Sequence, residues 1–122
     1  MQLIFGEERA NTLREKYIVL ELDLVKFNPI EVTSTVYCVL EKLPDNNLDV
    51  LNDMLLMHHT MITYYRNRQW SEATVQLDQL IGYWGEDVDT FYNDLRSRIA
   101  KYQETDPGED WNPAIEKTIT FT

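Results

Sequence analysis

The sequence predicts a small α+β fold: a short N-terminal strand and helix, an antiparallel β-hairpin, and a three-helix, tetratricopeptide-like C-terminal half. Three observations predict it. Apolar residues alternate along Ile18 to Phe27 and again along Val32 to Leu40, the period of a half-buried strand. After Pro44-Asp45-Asn46-Asn47 the apolar period changes from two to about 3.6. The 122 residues, 43% hydrophobic and 26% charged, have the size and balance of one globular domain. The expected organisation is a single domain over 1–122, with a hairpin part at 1–43, a helical part at 47–105 and an extended tail at 106–122.

Gln2 to Phe5 is a short apolar run ended by Gly6 and reads as a brief strand. Glu7 to Tyr17 reads as a helix. Its acidic first turn suits the positive end of the helix dipole, Arg14 and Lys16 suit the negative end, and Ala10, Leu13 and Tyr17 give a narrow apolar face. In the first hairpin strand Ile18, Leu20, Leu22 and Leu24 point one way, Glu21 and Asp23 the other. Asn28-Pro29 marks the turn. The second strand sets Val32, Val36, Cys38 and Leu40 on one face. A three-stranded sheet is more stable than an isolated hairpin, so the N-terminal strand is expected to join it.

The long helix running to about Arg68 carries the stripe Leu48, Leu51, Leu55, His58, Ile62 and Tyr65. A second helix carries Trp70, Ala73, Leu77, Leu80 and Ile81, with Ser71 placed to help cap it. Gly82 and Gly85 let the chain leave that helix. A third carries Phe91, Leu95, Ile99 and Tyr102, and Asp106-Pro107-Gly108 ends it. The tail then has one anchor, Trp111.

The net charge of −10 argues against nucleic-acid backbones and anionic membrane surfaces, since phosphate contacts need clustered Lys and Arg. The longest basic cluster is Arg66-Asn67-Arg68. No apolar run approaches the roughly 20 residues of a membrane span, and the N-terminus lacks the basic and apolar regions of a signal peptide. A cytoplasmic protein is expected. Cys38, the single cysteine, cannot form an internal disulfide and reads as a small buried side chain.

The candidates for chemistry read as structural. His58 and His59 point about 100° apart on a helix, which suits no shared metal, so His58 reads as a core residue and His59 as a surface one. Glu86, Asp87, Asp89 and Asp94 lack the spacing of a calcium loop and coincide with a helix start, where carboxylates stabilise the dipole. Glu21 and Asp23 read as a solvated strand face. No phosphate loop, Ser-His-Asp set or Cys-His arrangement stands out. No catalytic residue, metal or cofactor is expected. The aromatic residues between Tyr64 and Tyr92 are more informative, because adjacent rings cannot all face inward. Tyr64, Trp70, Tyr83 and Trp84 are therefore the candidate partner-binding residues.

The order of segments resembles the end of class III adenylate/guanylate cyclases. Leu3-Ile4-Phe5-Gly6-Glu7-Glu8 stands where that family has a strand leading to a helix. Lys16 to Phe27 resembles its "RELDRVRVKGK" segment, and Val36-Tyr37-Cys38-Val39-Leu40 its "VRVYELL" strand. Tyr65-Arg66, Trp70-Ser71-Glu72-Ala73, Tyr92, Leu95 and Arg98 follow a tetratricopeptide-like hairpin of the form "Y+xxxWxxAxxxFxxLL…D…R". Pro107 to Asn112 resembles a tail like "PPPxDWDGV". The basic turn of the family is replaced here by Lys26-Phe27-Asn28-Pro29. The two metal-binding aspartates and the Asn/Arg pair of those enzymes precede the matched segment. The resemblance therefore implies a relative that kept scaffold and lost active site, since metal-bound triphosphate cannot be organised without them.

Only about one and a half helix-repeat units fit, and solenoids usually need about three. The expectation is a non-enzymatic interaction or regulatory module that holds a protein partner or a second copy. A subunit completing a split nucleotide cyclase and a structural, for instance viral, component are the alternatives.

Overall fold

A computed structural model describes residues 2–44 and 46–118. Along the chain run β1 (Gln2–Phe5), α1 (Glu7–Arg14), β2 (Ile18–Asn28), β3 (Val32–Leu40), α2 (Leu48–Arg66), α3 (Trp70–Leu80), α4 (Glu86–Glu104) and β4 (Ile115–Thr118). The α+β class and the helical C-terminal half follow the sequence reading. The chain divides into two compact units. One takes the described residues of Met1–Glu41 and Asn112–Thr122, the other is Lys42–Trp111.

The first unit is a four-stranded sheet in the order β1-β3-β2-β4. β1 joins the hairpin antiparallel to β3, with Ile4 opposite Tyr37 and Phe5 opposite Val36. β2 and β3 form the expected hairpin, joined through the Asn28–Pro29 turn. Ile4, Val19, Tyr37 and Val39 pack with Ala10 of α1 in one buried cluster, and Leu13 and Tyr17 close over it. α1 ends three residues earlier than its apolar spacing predicts. The amides of Lys16 and Tyr17 both turn back to the Leu13 carbonyl, which terminates the helix while keeping Tyr17 on the cluster.

Three expectations for this unit need correction. The alternation of β2 breaks at a bulge: Glu21 pairs with Tyr37 and Leu24 with Thr35, which leaves Leu22 and Asp23 opposite Val36 alone. Beyond it Val25, not Leu24, is the buried residue. β3 is buried on both faces rather than one, since Val36, Tyr37, Cys38 and Val39 are all inside. The tail, expected to be extended with Trp111 as its one anchor, supplies β4, which pairs parallel to β2 from Val25–Ile115 to Asn28–Thr118. Backbone hydrogen bonding holds it, so Ile-Glu-Lys-Thr shows almost no apolar signal; Ile115 is its one half-buried residue.

The second unit is helical. Asn47 caps α2, its Oδ1 accepting from the Asp49 and Val50 amides at 3.0 and 3.3 Å. The buried face of α2 is Leu51, His58, Met61, Ile62 and Tyr65; Met61 was not expected, while Leu48 is exposed and Leu55 half-buried. α3 buries Ala73, Leu77 and Leu80. Ser71 does not cap it: Gln69 occupies the cap position, and the Ser71 hydroxyl instead accepts from Gln103 Nε2. α4 buries Val88, Tyr92, Leu95 and Ile99, so Tyr92 takes the inward place expected of Phe91. A buried Leu or Ile of this kind contributes roughly 1.5–3 kcal/mol.

Candidate interaction surfaces

The helical unit places the four aromatic candidates unequally. Trp84 turns inward and is only 6% exposed. Tyr64 and Tyr83 are half-buried, and the Tyr83 ring stands edge-on to Trp84 at 4.8 Å. Trp70 is engaged within the unit, with its ring 5.8 Å from Tyr65, 5.1 Å from Tyr102 and 5.3 Å from Trp111. Trp111 also meets Tyr65 and Tyr102 edge-on, at 5.8 and 5.6 Å. These four rings close on one another, so much of the aromatic surplus in the sequence is spent on holding residues 106–111 against α2 and α4.

A polar clasp completes that arrangement. α2 ends in a Schellman turn: the Gln69 amide donates to the Tyr64 carbonyl and the Arg68 amide to the Tyr65 carbonyl. The residue that such a turn puts in the left-handed region is usually glycine; here it is Arg68, with φ of 63°. Its guanidinium donates to Asp106 Oδ1 at 2.7 Å and to the Gly108 carbonyl at 2.9 Å, and lies 6.0 Å from the Trp111 ring. Asp106 Oδ1 also accepts from the Gly108 amide at 2.8 Å. That backbone donor, with the guanidinium beside it, holds the Asp106 carboxyl below its ordinary range.

The remaining chemical candidates make contacts within the helical unit where the geometry reports on them. His58 Nδ1 and the Tyr92 hydroxyl are hydrogen-bonded at 2.8 Å inside the helical unit. Asp89 accepts from the Gly82 amide at 2.8 Å, Asp94 pairs with Arg98, and Asp78 pairs with Arg96 between α3 and α4. Among the described residues no three His, Cys, Asp or Glu side chains gather as a metal site, and no helix is long and apolar enough to cross a membrane.

The sheet unit offers a different surface, which aromatic counting overlooks. β1 is an outermost strand, and its sequence Gln-Leu-Ile-Phe carries no charge or proline. The Gly6 amide donates to the Thr35 carbonyl at 3.0 Å, which fixes the phase of the ladder. Gln2 and Ile4 therefore direct their backbone groups at β3, while Leu3 and Phe5 direct theirs at the open edge. The side chains of those same two residues are 51% and 49% exposed. Phe5 keeps one ring contact within the unit, edge-on to Phe27 at 5.5 Å. The signal in the sequence was the lack of any guarding charge in a short apolar strand. No protein family, curated protein or solved structure matches this chain.

Proposed function

We infer that the chain is a non-catalytic module that binds protein, and that the open edge of β1 is its contact surface. The observation that carries this reading is the coincidence, at Leu3 and Phe5, of outward-directed backbone groups with half-exposed apolar side chains on an uncharged edge strand. Backbone pairing gives such an edge affinity for an extended segment, and alternate side chains give it selectivity. The charge of −10 leaves a protein contact as the favoured class over nucleic acid.

The test is affinity capture with the full chain and with a Leu3→Lys variant. A charge at the centre of the edge should abolish capture while circular dichroism stays unchanged. Equal recovery of every captured protein by both chains would remove β1 from the reading.

A further inference from the structure

We propose that the occupant of the β1 edge is a second copy of the same strand, paired antiparallel about a two-fold axis at Ile4. This deepens the interaction-module reading and rests on it. An antiparallel pair exchanges two backbone hydrogen bonds at every second opposed position. On β1 the outward-directed positions are Leu3 and Phe5, one residue to either side of Ile4. Turned over about Ile4, the strand sets Leu3 against the second copy's Phe5, and its Phe5 against the second copy's Leu3. Both opposed pairs then fall in the hydrogen-bonded phase, and all four outward amides and carbonyls are used. A register one residue away would oppose a bonding position to a non-bonding one.

The side chains agree with the backbone. Leu3 and Phe5 project from the same sheet face, so each copy's exposed Leu3 meets an exposed Phe5, a cross-strand aromatic–aliphatic pair. Two chains of charge −10 repel one another, and the contact is made through a segment that itself bears no charge. The result is one continuous sheet of two four-stranded halves, with an isologous interface of the kind most homodimers use.

The decisive substitution acts on the backbone. Leu3→Pro deletes an amide that points at the open edge and leaves the β1–β3 bonds intact, which is the setting in which a strand tolerates proline. Light scattering coupled to size exclusion, over a concentration series, should carry the wild-type chain from 14.5 kDa towards twice that mass. Leu3→Pro should stay at the single-chain mass throughout, with its circular dichroism spectrum unchanged. If the proline disturbs folding, Leu3→Lys takes its place in the same series. A wild-type chain that remains single at every concentration overturns the proposal, as does a dimer that survives both substitutions in folded protein. In the first case, Leu3-dependent capture of a different protein would leave the interaction-module reading standing, and no Leu3-dependent capture would bring down both.

Discussion

Arg68 grips Asp106 at 2.7 Å across 38 residues of sequence, from the one position at the end of α2 where a side chain is conformationally costly. The left-handed backbone disfavours any residue with a Cβ by about 1 kcal/mol relative to glycine. The contacts with Asp106, Gly108 and Trp111 give arginine a reason to be there. Arg68→Ala should therefore lose the clasp and keep the strain, lowering stability by up to about 1 kcal/mol. Arg68→Gly loses the clasp but relieves the strain, and should be the milder change. Urea midpoints of the three proteins rank them, and an alanine variant as stable as the glycine variant would contradict this account.

The same clasp predicts a response to acid. Asp106 sits below its ordinary value of 3.8 in the fold, so in that range the unfolded chain binds more protons than the folded one. Its contribution is complete above 3.8 and disappears as the pH falls through the lower, folded value. Asp106→Asn should flatten this part of the acid-unfolding curve and leave the alkaline side untouched. Thermal midpoints of both proteins across that range measure it.

His58 and Tyr92 place a polar contact in the helical interior, the histidine 3% and the tyrosine 0% exposed. Tyr92→Phe keeps the ring volume and deletes the donor or acceptor facing Nδ1. The expected loss is about 1–2 kcal/mol by equilibrium denaturation, the usual effect of removing one partner of a buried hydrogen bond.

Asn47→Ala removes the side-chain cap of a 19-residue helix and should lower stability by about 1 kcal/mol. Leu77→Ala opens a cavity at a fully buried position of the helical unit and should cost about 2–5 kcal/mol. Measured by the same denaturation, the core change should exceed the cap change.

The sequence was most readable where side-chain burial follows a simple period. The spacing of Leu51, His58, Ile62 and Tyr65, or of Ala73, Leu77 and Leu80, places those residues inside without further information. It was least readable where the backbone decides. The bulge at Leu22-Asp23 inverts the alternation of β2, and one strand's pattern carries no notice of its partner's register. β4 has a single half-buried side chain, so its membership in the sheet is written in amides rather than in hydropathy. Trp70 and Trp84 illustrate a third limit. Surplus rings suggested a surface for partners, but Trp111 returns along the chain to occupy one and the other turns inward. Tyr64 and Tyr83 keep partial exposure, while the outward direction of the Leu3 and Phe5 backbone follows from the ladder phase, which hydropathy does not encode.

The parallel partner of β2 is synthesised only after the whole helical unit. A ribosome emits β1, β2, β3 and the whole of Lys42–Trp111 before Ile115–Thr118 emerges to cover the second margin of the sheet. Until then the β2 edge from Val25 to Asn28 lacks its parallel partner, and its closure waits on a loop of some ninety residues that contributes little local guidance. Completion of the sheet therefore depends on Ile115–Thr118 finding β2 across that separation, a slower event than the local closure of the β2–β3 hairpin.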